Sequence, residues 1–279
     1  MNSSEIRKYQ ETQLKMLKDI YEICEKLDIE YYMIGGTVLG AVRHGGFIPW
    51  DADIDIAMKR KDYEALRQYF AANENEKYFY EHYSTEKNHL SPHALIRIKG
   101  TNINYCGRVS EEYQPKYTGI YLDIFPLDEP PKEKHLQEKQ MKKIKNIKRI
   151  IELKAGYTYK DTSVIKKHVK RIVQIPLSVI SMERLNRCLD RAMTKYSGSG
   201  SGMLVSMASH YSYWKQLMPE DVYGKPKKLE FEGLKFSAPA KPHEYLTKIY
   251  GDYMQLPPEE KRFSDLDNII SVDYEVEEE

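Results

Sequence analysis

The sequence predicts an α+β (α/β) fold, a mixed β-sheet flanked by helices, with an added helical region. Three observations predict it. The stretch from Tyr31 to Met58, YYMIGGTVLGAVRHGGFIPWDADIDIAM, reads as strand, glycine turn, short helix, loop and second strand. Two later runs, ALIRIK from Ala94 and GIYLDIF from Gly119, are short, apolar and bounded by turn residues, as strands are. Around them lie stretches whose apolar residues recur at helical spacing, among them a long one from Lys132 to Lys154.

Composition narrows the function classes. A chain of 279 residues holds one large domain or two small ones. Apolar residues make up 41%, enough for a core, while a mean hydropathy of −0.66 implies a very polar surface. A net charge of +1 excludes a polyanion binder by composition alone. Cys24, Cys106 and Cys188 are few and widely spaced, which fits a reducing compartment rather than a disulfide framework or a zinc knuckle. MNSSEIRKYQ lacks the apolar core of a signal peptide. The stretch from Val164 to Ile180 carries too many charges to span a bilayer. The expected location is cytoplasmic. No internal repeat and no basic recognition helix are present, so nucleic acid is not an expected partner.

The elements follow in order. Ser3 or Ser4 caps a first helix to about Leu27, with Leu14, Leu17, Tyr21, Cys24 and Leu27 as its core stripe. Tyr31 to Ile34 is a strand ending at Gly35-Gly36. Thr37 stands where an N-cap belongs, and Gly45-Gly46 ends that helix. The next strand runs from Asp51 to Ile56, with Ile54 and Ile56 on one face and Asp53 and Asp55 on the other. A helix from Lys61 to Ala72 precedes strands at Tyr78–Tyr83 and Ala94–Lys99. The strand Gly119–Phe125 is expected to stop at Pro126, before a loop from Asp128. Helices follow at Lys132–Lys154, Ser163–Ile175 and Ser181–Tyr196, and Ser197–Gly202 is a flexible loop. A short strand at Met203–Met207, a hairpin over Leu229–Phe236 turning at Glu232-Gly233, and a helix from Pro242 to Gly251 complete the chain. The acidic residues 271–279 are expected to be disordered.

Chemistry concentrates in the opening stretch. Asp53 and Asp55, two apart on a strand, lie about 7 Å apart at the backbone. Their charges repel unless a cation sits between them, and magnesium prefers such hard oxygen donors. Gly35, Gly36 and Thr37 provide a turn at a helix N-terminus that phosphate oxygens can approach. Asp123, inside a very apolar strand, is costly there unless paired or bound to metal. Read alone, each signal has a plain alternative. A GG pair is usually a turn, and a D-x-D pair a solvated strand face or a glycosyltransferase metal motif. Asp123 could also sit exposed on an edge strand.

The runs IGGTVLGAVRHGGFIPWDADIDIAM, YLDIFPLD, FEGLKFSAP and YLTKIYGDYMQLPP, in that order, resemble the LicD family. The resemblance covers most of the chain and is weakest in the basic helical block. It implies a nucleotidyltransferase palm-like core with Asp53, Asp55 and Asp123 as catalytic metal ligands and Gly35-Gly36 as the phosphate turn. The expected metal is Mg2+, with Mn2+ as a substitute. The implied activity is transfer of a phospho-alcohol, phosphocholine foremost, from a CDP-activated donor such as CDP-choline to a hydroxyl of a cell-surface glycan. Teichoic acid, capsule and lipopolysaccharide precursors are the acceptor classes, and CMP leaves. Fukutin-type enzymes, similar at a greater distance, use CDP-ribitol. Family members often carry WDDDIDI, where this chain has Ala52 in place of the middle acid; Ala52 is expected to face away from Asp51 and Asp53.

Within that mechanism Arg43, Arg97 and Lys99 are candidates to neutralise charge on the phosphate. Choline would call for aromatic faces, and Tyr211, Tyr213 and Trp214 lie close in sequence. The expected organisation is a catalytic core over 1–131, a basic helical insert over 132–202, a part over 203–270 that completes the LicD-type domain, and the tail. The insert carries 14 Lys or Arg against 4 Asp or Glu from Lys132 to Arg171. It is therefore a candidate for peripheral contact with the inner face of the membrane and a lipid-linked acceptor. Alternatives are a nucleotidyltransferase acting on a small molecule, a D-x-D glycosyltransferase, and a catalytically silent relative that binds nucleotide or glycan.

Overall fold

A computed structural model describes residues 2–51, 53–105, 111–156, 177, 179–262 and 269–275. The expected helix over Ser163–Ile175 and the orientation of Ala52 fall outside them. Helix α1 spans Ser3–Leu27 and is capped by Asn2, not by Ser3 or Ser4. The Asn2 side chain accepts from the backbone of Ser4 and Glu5, and Glu5 reaches back to the Asn2 N–H at 2.7 Å. Its inward face is Met16, Leu17, Ile20 and Cys24, with Leu14, Tyr21 and Leu27 only half-buried.

The central sheet has five strands in the order β1-β2-β6-β4-β3. They are β1 (Tyr32–Met33), β2 (Asp55–Lys59), β3 (Tyr78–Glu81), β4 (Ala94–Ile98) and β6 (Tyr121–Leu127), while β5 (Asn102–Tyr105) lies outside this sheet. β2 and β6 run parallel, and every other pairing is antiparallel, so the sheet is mixed as expected. Asp55 stands in register with Asp123, Asp123 with Leu95, and Leu95 with Glu81. Residues in register share a face, so the acids lie on one face, and Ile56, Ile124, Ile96 and Tyr80 on the other. Helix α3 (Arg60–Ala72) covers that second face, where Phe70 stacks on Tyr80 at 5.4 Å.

Pro126 does not end β6, which continues to Leu127 beside β2. The backbone shows why. Asp123 N–H points to β2, where it donates to Ile54 O at 3.1 Å. Pro126, three residues on, therefore turns its nitrogen to the β4 side, and β4 has already ended opposite Ile124. No ladder bond is lost. β2 in turn begins only at Asp55, so Asp51, Asp53 and Ile54 lie outside the strand.

The C-terminal half closes over this core. The hairpin β9 (Lys227–Phe231) and β10 (Leu234–Ala238) turns at Glu232-Gly233 as the sequence implies. Its Phe231 packs edge-on to Phe47 at 4.9 Å. Helix α4 (Lys134–Ala155) lies against α5 (Met182–Met193). Two short strands, β7 (Met203–Leu204) and β8 (Met218–Pro219), pair with each other. Brief helices α6 (Tyr213–Gln216) and α7 (Glu220–Tyr223) lead to α8 (Pro242–Tyr250), which packs on α2 (Gly35–His44). The tail corrects the expectation of disorder for its first residues, because β11 (Ile269–Asp273) pairs with β5. Among the described residues no helix is long and apolar enough to cross a membrane.

Candidate functional site

The three predicted acids meet. One carboxylate oxygen from each of Asp53, Asp55 and Asp123 lies within 4.8 Å of the others. Asp123 is buried and the other two are half-buried. The parallel register of β2 and β6 sets Asp55 beside Asp123. Asp53 joins from the loop, which is anchored from α1: the Gln10 side chain donates to Asp51 O at 2.7 Å and Ile48 O at 3.4 Å. The donor set is all carboxylate oxygen, which fits a hard dication such as Mg2+ or Mn2+ rather than zinc or copper.

The glycine turn abuts these acids. Helix α2 starts at Gly35, with Ile34 as its cap, and Thr37 is its third residue rather than its N-cap. The Thr37 hydroxyl instead accepts the Asp55 N–H at 2.8 Å, tying the helix to the start of β2. Gly35 has φ +57°, and a methyl group there would stand 2.8 Å from Asp55 Oδ2. A methyl group on Gly36 would overlap Asp51 Oδ2. The glycines are thus needed first for close approach of carboxylates to the backbone. The Gly35 N–H is also already engaged, donating to the Tyr245 hydroxyl at 3.1 Å, so the N–H groups left for phosphate begin at Gly36.

The predicted cations separate. Arg43, on the last turn of α2, donates to Tyr253 O at 2.8 Å and Gln255 O at 3.3 Å, which ties α2 to the segment after α8. Burial lowers its pKa, and the nearby Tyr250 only partly offsets this. Arg97 shares the acid face but is buried. Its guanidinium is committed to Glu81, and it also donates to Gly119 O at 3.0 Å. Burial works against the Glu81 charge, but Arg97 and a hydrogen bond from His89 outweigh it and hold the carboxyl down at about 2. The reading of Arg97 as a phosphate ligand is corrected on that ground. Lys99 lies four residues beyond the position opposite Asp123, roughly 13 Å along the sheet. It is not brought to the acids.

Several residues near the acids carried no chemical signal in the sequence. His93 Nε2 lies 2.7 Å from Asp123 Oδ1. Glu232, at the hairpin tip, accepts from Phe47 N at 3.0 Å and from Arg7 at 2.9 Å, clamping the loop that leads to Trp50 and Asp51. The aromatic cluster splits as well. Tyr213 is buried and donates to Gln140 at 3.2 Å, and Trp214 is partly exposed. Only Tyr211 is tied to the site. Burial raises its pKa, a hydrogen bond with Tyr250 opposes this, and the charges of Asp55, Asp51 and Asp53 add to the rise. Lys215 lies 5.1 Å over the same ring. The spacing i, i+2, i+3 of these aromatics could not indicate which of them faces the acids.

Known proteins are similar to this chain in sequence. Residues 28–148 match the family described as LicD/FKTN/FKRP, nucleotidyltransferase domain, a span that runs past residue 131 into α4. The lipopolysaccharide cholinephosphotransferase LicD of Haemophilus influenzae is 30% identical over 264 residues, covering 93% of this chain and 95% of that protein. The ribitol 5-phosphate transferase FKRP of Homo sapiens is 42% identical over 40 residues, 14% of this chain and 8% of FKRP. The uncharacterized protein RP689 of Rickettsia prowazekii is 44% identical over 54 residues, 19% of this chain and 20% of its own. With the mixed sheet, the glycine turn on its acid face and a full-length relative at this identity, the chain belongs to the LicD family of nucleotidyltransferase-fold proteins.

Proposed function

We propose that this protein transfers a phospho-alcohol, with phosphocholine the leading candidate, from a CDP-activated donor to a hydroxyl of a cell-surface glycan. The observation that carries the reading is the convergence of Asp53, Asp55 and Asp123 beside the Gly36-Thr37 helix N-terminus. The full-length relative, a lipopolysaccharide cholinephosphotransferase, supports the choice of alcohol and acceptor class. FKRP, a ribitol 5-phosphate transferase, supports phospho-alcohol transfer more broadly.

The acceptor oxygen would attack the phosphorus that bears the alcohol. The bond from that phosphorus to the CMP oxygen breaks, and CMP leaves with the electron pair. Asp53, Asp55 and Asp123 would hold Mg2+ or Mn2+, which when bound supplies charge neutralisation on the diphosphate and on the in-line attacking and leaving oxygens. Asp123 would take the acceptor proton. The N–H groups of Gly36 and Thr37, unpaired among the described residues, would face a phosphate oxygen at the positive end of α2. Arg43, on the last turn of that helix, binds carbonyls and no carboxylate among the described residues, so its charge would be left for a phosphate.

The acceptor reading extends to α4. Lys134, Lys139, Lys142, Lys143, Lys145 and Arg149 are exposed, and among the described residues none is in a salt bridge. These side chains would attract an anionic membrane surface or a lipid-linked acceptor.

A donor labelled separately on each phosphate tests the reaction. Label on the nucleotide-proximal phosphate should appear in CMP, and label on the distal phosphate in the glycan. Proximal label in the acceptor, with the distal label released as the free phospho-alcohol, would establish nucleotidyl transfer instead. A thermal-shift series with CDP-choline, CDP-ribitol, CDP-glycerol and CDP-ethanolamine, each with magnesium, identifies the donor, because a ligand selective for the native state raises Tm.

A further inference from the structure

His93 lies thirty residues before Asp123, just ahead of β4, and it is held at two points of its ring and one of its backbone. Nε2 is 2.7 Å from Asp123 Oδ1. A carboxylate only accepts, so Nε2 carries the proton and donates. The ring stacks on Phe125 at 4.1 Å with 27° between planes, and Phe125 follows Asp123 by two residues on the same face of β6. The backbone of His93 is held as well, because its carbonyl oxygen accepts from His89 Nε2 at 2.9 Å.

His89 is itself built in. It is 1% exposed, and its other ring nitrogen lies 2.9 Å from Glu81 Oε1. Its carbonyl oxygen accepts from the Asn186 side chain at 2.7 Å, which brings in α5. Glu81 is in turn paired with Arg97 on the neighbouring strand. A continuous chain of hydrogen bonds, buried at its Arg97 end and part-buried at His93, thus runs from Arg97 through Glu81 and His89 to the main chain of His93, and through its ring to Asp123. His93 Nδ1 is buried without a partner among the described residues, and the hydrogen bonds that the rest of the chain makes fix its geometry.

We infer that His93 is a positioning residue for the transfer reaction: it locks the rotation of the Asp123 carboxylate so that the metal-binding oxygens of Asp53, Asp55 and Asp123 stay converged. This rests on the reading of Asp123 as a metal ligand. Without the bond at Oδ1 the Asp123 carboxylate rotates freely about its Cβ–Cγ bond, and the charges of Asp53 and Asp55 turn it away. Groups that orient a ligand in this way typically contribute about 10–100-fold in metal affinity.

The test is Mn2+ binding to the full chain, followed by loss of the free-ion electron paramagnetic resonance signal. His93→Leu should weaken Mn2+ about 10–100-fold. His93→Gln, whose amide nitrogen reaches the position of Nε2, should restore most of that affinity. His93→Asn, whose amide falls at the Nδ1 position, should not, and this pair decides the matter if the Leu variant fails to fold. Asp123→Asn serves as the reference and should lose the tight site. If Asp123→Asn loses Mn2+ while His93→Leu and His93→Asn bind it as the parent does, the positioning role is overturned and the metal reading stands. If Asp123→Asn binds Mn2+ normally, both fall.

Discussion

Asp55 and Asp123 stand side by side at the same register of two parallel strands, 68 positions apart in the chain. Side chains in register on neighbouring strands point the same way, so two carboxylates are forced together where charge repulsion opposes it. Asp53 adds a third. Under the proposed function a bound cation would offset that repulsion. Asp53→Asn or Asp55→Asn should therefore reduce phospho-alcohol transfer by roughly 10³-fold or more, several kcal/mol of transition-state stabilisation. The melting temperature without metal should stay level or rise. Chelation by EDTA should reproduce the loss, and added Mg2+ or Mn2+ should reverse it. Turnover within a fewfold of the parent in either variant would refute the carboxylate site.

Gly35 serves the same cluster from the other side. Gly35→Ala places a methyl group 2.8 Å from Asp55 Oδ2 at φ +57°. The left-handed backbone alone costs about 1–2 kcal/mol. The displaced Asp55 should also weaken Mn2+ binding, which a purely conformational penalty would not do. Chemical denaturation and Mn2+ titration of the same variant separate the two effects.

Asp128, the last acid of the YLDIFPLD run, is expected to act in stability. Its side chain is fully buried, and it binds Arg60 through two bonds of 2.7 Å, joining the end of β6 to the start of α3. Arg60 also reaches Asp190 on α5 at 2.9 Å. Asp128→Ala should cost roughly 3–5 kcal/mol, because the guanidinium stays buried with half its partners gone. A shift of the urea midpoint below what about 1 kcal/mol explains would show the pair to be dispensable.

His82 predicts a pH dependence. Burial holds its pKa down at about 3, with the charges of His89, Arg67 and Arg60 adding to the effect. Its Nδ1 accepts from Ser84 N at 3.3 Å, which suits the neutral ring. Unfolded, the residue titrates near its ordinary 6.5, so the unfolded chain binds the extra proton between pH 6.5 and 3. The stability that the neutral ring contributes is complete above pH 6.5 and is lost as pH falls toward 3. Between pH 7 and 5 the unfolding free energy should drop by about 2 kcal/mol from this group. His82→Asn should flatten that slope; an unchanged slope would assign the dependence elsewhere.

The basic face of α4 is tested with vesicles. Binding to anionic lipid should weaken steeply with salt, since screening acts over about 8 Å at physiological ionic strength. Replacing Lys142, Lys143, Lys145 and Arg149 by Gln should abolish it. Lys148 does not belong to this face. Its ammonium donates to the carbonyls of Met207, Ala208 and Ser209 at 2.6, 3.0 and 3.1 Å, and burial, partly offset by Glu152, lowers its pKa to about 8. Lys148→Gln should lower stability and leave vesicle binding intact. Absence of binding at low salt would reduce α4 to scaffold.

What the sequence by itself determined is local. The glycine turn, the D-x-D pair, the strands around Ile96 and Asp123 and the hairpin at Glu232-Gly233 are written in side-chain period and turn chemistry, which act within a few residues. Asp53 and Asp55 could be named from two like charges at i, i+2, and Asp123 because a charge inside an apolar strand is costly wherever the strand lies. What only the tertiary structure decided is which distant groups meet. Arg97 turns to Glu81, Lys148 turns inward to three carbonyls, Tyr245 takes the first N–H of α2, and His93 reaches Asp123. Each of these depends on strand register and loop closure over 16 to 210 residues. A one-residue slip in register would send the same side chains to the opposite face. A cation in the sequence is therefore equally a phosphate ligand or half of a buried pair until the fold supplies its neighbour.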